Sequence, residues 1–296
     1  MVEEYLGPIC ALLTALAWAV GVILFKQATA TWSALALNYF KNGLAVVLFL
    51  LTFPIVGQSF WIGAPAEHVV YLLLSGALGI GIADTLFFRC LALLGAARSA
   101  IVECFYSPCI VFFSFILLGE LITWMDILGG ILIVSSILLS SGEFKMNRRL
   151  ERETAKGFLF GAISMVFMGI SIVGIKPTLE LYPVLWSTTL RLIGGVLILT
   201  LWAPFSEEKL LPILRQCSKV SRWGRALPGA FMGTYVAMIF WVAGFKYGDA
   251  SISAILNQTA TIFTVLMAGL VLKEALTYKH VVGVAAAFGG CVLVLV

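Results

Sequence analysis

Glu103 is a carboxylic acid near the start of a mostly apolar run, residues 97 to 118. Insertion scales put a charge at the centre of a spanning helix at roughly 2.5–3.5 kcal/mol, so an acid in such a segment predicts a functional role. On a helix, Ser99, Tyr106 and Ser107 share a face with Glu103 and form a polar stripe. We expect this stripe to contact a solute in a wet site; the alternative is hydrogen bonds that only pack two helices together.

Three more charged residues lie within apolar segments, namely Lys41, Asp84 and Arg191. The two cations need anions or water around them. One interpretation pairs them with Glu103 and Asp84, and the other leaves a cation for a carboxylate on a bound solute. The sequence does not choose between the two. Asp84 fits the role of a proton site and that of a packing partner equally well. Glu103 and Asp84 are the intramembrane groups that can carry a proton.

Membrane helices must position these residues. Of the 296 residues, 61% are hydrophobic and 11% are charged, with a mean hydropathy of +1.05, whereas soluble domains carry roughly 25% charged residues. Ten apolar segments each approach the roughly 20 residues that span hydrocarbon. We predict an all-α integral membrane protein with spans at 6–26, 34–53, 69–89, 97–118, 123–141, 157–175, 183–202, 226–245, 250–272 and 279–296. The first segment has no cleavage signature and should remain as a helix.

The remaining composition argues against several other kinds of function. The six cysteines are scattered without a C-x-x-C pair, and His68 and His280 are far apart in sequence, so we expect no metal and no cofactor. The net charge of +4 follows from the loops and predicts no nucleic-acid partner. No H-E-x-x-H or nucleotide fingerprint is present, so we expect no enzyme.

Lysines and arginines are distributed unevenly between the predicted loops. With alternate numbering, fifteen fall on one side and only Lys176 and Lys246 on the side of both termini. The positive-inside rule therefore predicts that the fifteen are cytoplasmic and that both termini are outside the cell.

The chain also contains an internal repeat. A basic loop, residues 143–156, separates a first half, 1–142, from a second half, 157–296. At an offset of 154, residues 95–123 match residues 249–277, and this register aligns the glutamates and threonines of “GELIT” and “KEALT”. Five helices in each half is an odd number, so the second half enters the membrane from the opposite side, as in inverted-repeat transporters.

Two further correspondences extend the repeat. Nearer the start of each half, an offset of 150 aligns Lys26 with Lys176 and Lys41 with Arg191. The later offset places Asn257 opposite Glu103. Ser253, Thr261 and Thr264 share a helical face with Asn257, and we expect this second stripe to face the first across a wet pocket. The candidate aromatic wall residues, which lie inside the first and eighth segments, are Trp18, Tyr235 and Trp241.

Each half ends in a hinge, “LGELIT” or “LKEALT”, followed by “WMDILGGILIVSSILL” or “YKHVVGVAAAFGGCVLVL”. This arrangement resembles the EamA-type transporters of the drug/metabolite transporter superfamily. The resemblance implies a secondary active transporter that moves a small metabolite, such as an amino acid or drug-like solute, by alternating access. It also implies a central cavity lined by the fourth and ninth helices. Relatives typically keep both termini in the cytoplasm, the reverse of the orientation that the charge bias favours here.

We therefore expect a monomeric or weakly dimeric transporter in the lipid bilayer of the cell (plasma or inner) membrane. Glu120 and Glu274 should cap or gate hinge loops on opposite faces and not touch the solute. Proton coupling through Glu103 or Asp84 is one expected mechanism. The alternative is a transport-dead receptor or scaffold of the same fold, because fold does not fix function.

Overall fold

The chain is described by a computed structural model over residues 2–119, 121–141, 148–206, 209–247 and 250–295. Side chains are described in these ranges except at 2–5, 126, 137–141, 148–151, 245–246, 250–255 and 294–295. Every regular element in these ranges is helical, as the composition predicts.

The helices of the first half are α1 Val2–Ala28, α2 Ala34–Ile55, α3 Ala66–Gly76, α4 Asp84–Leu94, α5 Ala96–Glu103, α6 Tyr106–Leu118 and α7 Trp124–Ser141. Those of the second half are α8 Arg148–Val173, α9 Lys176–Leu181, α10 Val184–Trp202, α11 Leu210–Ser218, α12 Trp223–Ala230, α13 Ala237–Tyr247, α14 Ala250–Val271 and α15 Tyr278–Leu295. Two π-helical segments, Ala77–Ala83 and Phe231–Val236, join α3 to α4 and α12 to α13.

Seven helical stretches in the described ranges are long and apolar enough to cross a membrane. They are Leu6–Ala28, Ala34–Ile55, Ala66–Leu94, Ala96–Leu118, Arg152–Val173, Val184–Phe205 and Val220–Gly244. Three shorter apolar helices lie at Ile127–Ser136, Leu256–Val271 and Tyr278–Leu293, and they overlap the fifth, ninth and tenth predicted spans. The multi-pass helical class is confirmed, and ten crossings stay a prediction.

Local sequence explains several helix ends. Ser33 caps α2, where its hydroxyl accepts a hydrogen bond from the backbone N–H of Ala36 at 3.2 Å. Gly95, with φ +85°, allows the sharp turn between α4 and α5. Gly119, with φ +72°, ends α6 in the left-handed conformation.

Three details differ from the predicted spans. The fourth segment, predicted as one span over 97–118, is broken after Glu103. The sixth begins earlier than predicted, because α8 is helical from Arg148, within the predicted connecting loop. The loop after the seventh segment contains α11, whose Ile213 is buried while Leu211 and Leu214 are exposed.

The two halves interlock through equivalent helix crossings. In the first half α1 packs on α12, α13, α14 and the π segment Phe231–Val236, and in the second half α8 packs on α4, α6 and the π segment Ala77–Ala83. At the first crossing, a Cβ on Gly21 would lie 2.4 Å from the Cα of Gly233. At the second, a Cβ on Gly79 would lie 2.1 Å from the hydroxyl oxygen of Ser171. Small residues therefore allow both close approaches.

The repeat register also appears in the backbone. Ala77 and Phe231, which begin the two π segments, are 154 positions apart, as are Gly79 and Gly233 inside them. A π segment departs from the regular hydrogen-bond ladder and often marks a functional region. Both halves place this irregularity immediately before the helix that carries candidate site residues.

Candidate functional site

Lys41 and Asp84 form a buried ion pair between α2 and α4. The Nζ atom of Lys41 lies 2.6 Å from Oδ2 of Asp84, and the two side chains are 2% and 9% exposed. Lys41 also donates to the side-chain oxygen of Asn42 at 3.0 Å, and its Nζ lies 5.6 Å from the ring centre of Phe88. One of the two intramembrane cations is thus neutralised by protein, and its partner is Asp84.

An amide network holds the end of the first π segment. The Asn38 amide donates to the carbonyl oxygens of Ile80 and Gly81 at 3.0 and 2.9 Å. Asn42 donates to the side-chain oxygen of Asn38 at 2.8 Å. The hydroxyl of Thr85 donates to the carbonyl oxygen of Gly81 at 2.7 Å. Because buried carbonyls need donors, these side chains fix the helix turn from which Asp84 projects.

Glu103 occupies the last position of α5, directly before the break in the fourth segment. Its Oε1 atom accepts a hydrogen bond from the indole Nε1 of Trp18 on α1, at 2.9 Å. Within the described part of the chain, Glu103 forms no ion pair with Lys41 or Arg191 at 4 Å or less. Its carboxyl group is therefore held by a neutral donor from another helix of the first half.

Arg191, from α10, is 2% exposed and contacts three other segments. Its Nε donates to the hydroxyl of Ser75 at 3.1 Å, and Ser75 donates in turn to the carbonyl oxygen of Ser171 at 2.7 Å. The ring centre of Trp241 lies 5.8 Å from the guanidinium carbon, and Tyr106 and Asp84 are near enough to interact electrostatically. Among the described residues, no carboxylate lies within 4 Å of Arg191.

The two polar stripes meet at the contact between α5, α6 and α14. Gln258 donates to the hydroxyl of Ser107 at 2.9 Å. Thr261 lies 3.3 Å from the thiol of Cys104 and donates to the carbonyl oxygen of Ala100 at 3.4 Å. These contacts pack the helices, which is the alternative to solute binding for this part of the stripes.

Other predicted wall and stripe residues have varied surroundings. Ser99 is buried, and its hydroxyl lies 3.6 Å from the thiol of Cys90. The hydroxyl of Tyr235 lies 2.7 Å from that of Thr52 on α2. Asn257 differs, because its buried amide nitrogen and oxygen both lack a hydrogen-bond partner in the part of the chain that is described. Ser253 lies outside the described side chains.

Glu274 joins the hinge of the second half to the first half. Its two carboxylate oxygens accept from the backbone N–H groups of Ala96 and Ala97, at 2.8 and 3.1 Å. A Cβ on Gly95 would lie 2.8 Å from Oε1 of Glu274, so glycine allows this contact. Glu274 thereby satisfies donors at the start of α5. Its repeat partner Glu120 lies outside the described residues.

Lys26 acts at the other side of the same turn. Its Nζ atom donates to the carbonyl oxygens of Leu91 and Ala92, at 3.0 and 3.1 Å. Helix carboxyl ends favour cations, so this contact stabilises the end of α4. The sequence aligned Lys26 with Lys176 across the repeat and did not indicate this cap.

Sequence reasoning missed several polar residues of the site, above all Asn38, Asn42, Thr85 and Ser75. Uncharged polar residues are common in membrane helices, so their types carried little signal. Asn38 lies three positions before Lys41, about one helical turn away, and Asn42 and Thr85 directly follow Lys41 and Asp84. That spacing was the available clue.

Fold and site together define a multi-pass helical membrane protein whose two halves each contribute a buried cation. Comparison with known families identifies it further. The model of the EamA-like transporter family matches residues 5–142 and again residues 155–296. The chain belongs to this family of transporters, whose members are not enzymes.

One solved crystal structure of a protein is similar over 98% of this chain and 96% of its own, with a TM-score of 0.70 and 17% sequence identity. At that identity the similarity shows the fold alone. No curated protein sequence matches the chain.

Proposed function

We propose that this protein is a secondary active transporter, which moves a small organic metabolite across the cell membrane by alternating access. The observation that carries the proposal is the meeting of polar groups from both halves inside the bundle. α1, the helix of the first half that carries Trp18, packs on α12, α13 and α14 of the second half, and Arg191 of the second half contacts Ser75 of the first. A solute bound there would touch both halves, so their relative movement could expose it to either side.

Asn257 supports solute binding at the junction of the halves. Its buried amide offers one donor group and one acceptor without a partner among the described residues. Buried amides without partners are costly, so a polar solute group is a suitable complement. The amide lies on α14, which packs against α1 and α5.

We further propose that Glu103, and not Asp84, carries a coupled proton. Asp84 is fixed by Lys41 at 2.6 Å, and its protonation would leave that ammonium group without an anion. Glu103 accepts from the neutral indole of Trp18. The indole can donate to the ionised carboxylate and also to an oxygen of the protonated acid, which keeps lone pairs that accept. Protonation of Glu103 therefore strands no partner charge within the described residues.

The test uses the purified full-length chain reconstituted in lipid vesicles. Vesicles loaded with one unlabelled solute at a time, from a panel of amino acids, organic acids, amines and sugars, are diluted into trace labelled solute. We expect counterflow accumulation of at least one solute, absent from protein-free vesicles, and a change in its rate when a pH gradient is imposed. Failure across the panel, in vesicles shown to contain folded protein, would favour the receptor or scaffold.

A further inference from the structure

We propose that Arg191 binds a carboxylate group of the transported solute. This inference rests on the proposed transport function and adds a solute class to it. The guanidinium is almost completely buried, and within the described residues only its Nε atom has a hydrogen-bond partner, Ser75. An arginine cannot lose its charge by giving up a proton, so at such a site it needs an anion.

The inverted repeat shows where that anion is missing. Lys41 and Arg191 occupy equivalent positions at an offset of 150, and Lys41 has Asp84 as its carboxylate. The position equivalent to Asp84, at the offset of 154 that also relates the π segments, is Met238. The second half therefore keeps the cation of the first half and replaces its carboxylate with an apolar side chain.

The surroundings of the two cations are otherwise similar. In the first half, Phe88 lies one helical turn after Asp84, and its ring centre is 5.6 Å from the Lys41 ammonium nitrogen. In the second half, Trp241 lies nearly one turn after Met238, and its ring centre is 5.8 Å from the Arg191 guanidinium carbon. Each cation thus has an aromatic neighbour, but within the described residues only the first has a carboxylate of the protein within 4 Å.

Neither acidic residue of the site substitutes for the missing carboxylate. Asp84 is bound to Lys41, Glu103 accepts from Trp18, and neither forms an ion pair with Arg191 at 4 Å or less. Ser75 occupies Nε and leaves the two terminal nitrogens, whose parallel N–H groups match the two oxygens of a carboxylate. Because the second half supplies an arginine where the first has a lysine, the geometry favours a bidentate carboxylate over a single-atom anion.

Binding can be tested on the purified full-length protein with simple carboxylates as probes. The unfolding midpoint is measured at constant ionic strength while acetate, lactate, succinate, glutamate or benzoate is added, each beside its neutral amide and beside chloride. We expect saturable stabilisation by at least one carboxylate, no response to its amide, and at least a tenfold weaker response in Arg191→Gln. The exposed Arg89, whose guanidinium lies over Phe160, gives the matched control, because Arg89→Gln should retain the response.

A second variant restores the missing carboxylate from within the protein. Met238→Asp should abolish the response to added carboxylate while the folded yield is kept, because the new side chain neutralises Arg191 as Asp84 neutralises Lys41. An undiminished response in Arg191→Gln, an equal response to chloride, or no response to any carboxylate would overturn the inference.

Counterflow separates this inference from the transport proposal. Transport of a neutral or cationic solute, unaffected by carboxylates, would leave the transporter in place and remove the carboxylate site. Carboxylate binding that depends on Arg191, without counterflow of the bound compound, would keep the site and remove transport.

Discussion

The buried pair between Lys41 and Asp84 allows a quantitative test of how the bundle handles its charges. Replacing Asp84 by Asn keeps the shape of the side chain and removes the anion. At the observed 2.6 Å separation, an effective dielectric constant of about 20 gives an attraction of about 6 kcal/mol. Part of this attraction offsets the loss of hydration by the two buried groups, and removal of one partner from a buried pair typically costs about 3–5 kcal/mol.

We therefore expect Asp84→Asn to lower the free energy of unfolding by about 3–5 kcal/mol. At roughly 2–4 °C for each kcal/mol, this corresponds to a fall of about 6–20 °C in the unfolding midpoint. The measurement is tryptophan fluorescence of detergent-purified protein during heating, with monodisperse yield recorded on the same sample.

Removing both charges supplies the control. A Lys41→Met, Asp84→Leu double variant should lose much less stability than Asp84→Asn, because no unpaired charge remains at this position in the bundle. Arg191→Gln should likewise lose little, since among the described residues no carboxylate lies within 4 Å of Arg191. A midpoint unchanged in Asp84→Asn, or a double variant as unstable as the single one, would refute the reasoning.

Three other expectations follow from the site and the topology. Glu103→Gln should fold normally, since its amide oxygen still accepts from Trp18, but transport by this variant should no longer respond to a pH gradient in vesicles; normal coupling would exclude Glu103 as the proton carrier. Glu274→Gln should lower the free energy of unfolding by about 0.5–2 kcal/mol, as for loss of a helix cap, because the native carboxylate accepts two backbone N–H bonds; an unchanged unfolding midpoint would argue against the cap. A cysteine at Asn147 should react with impermeant maleimide only in opened cells, since fifteen basic residues predict a cytoplasmic loop; labelling of intact cells would reverse that orientation.

Much of the fold could be predicted because a membrane span is recognisable from the local sequence alone. A run of about 20 apolar residues has few alternatives to a spanning helix, since hydrocarbon offers no partner for exposed backbone groups. The predicted second span, 34–53, accordingly differs by two residues at one end from the observed Ala34–Ile55. The break after Glu103 and the two π segments were not predicted, because irregular turns in a helix depend on donors from neighbouring helices, such as Asn38.

The charged residues of the site were likewise predictable only in part from the sequence. Their rarity in apolar segments identified Glu103, Asp84, Lys41 and Arg191 from sequence alone, because a charge in the membrane is expensive and seldom incidental. Which acid meets which cation was left open. Lys41 and Asp84 are 43 positions apart, and only the packing of α2 against α4 brings their charged atoms within 2.6 Å.

The sequence by itself determined the class of protein, its internal repeat and the identity of its buried charges, because hydropathy and residue type are local properties. The tertiary structure alone decided that Lys41 is neutralised, that Glu103 is held by an indole and that, among the described residues, Arg191 has no carboxylate within 4 Å. Ion pairing depends on distances of a few ångströms between separate helices. Those distances are set by side-chain packing between helices, both within the first half and between the two halves, which no single segment encodes.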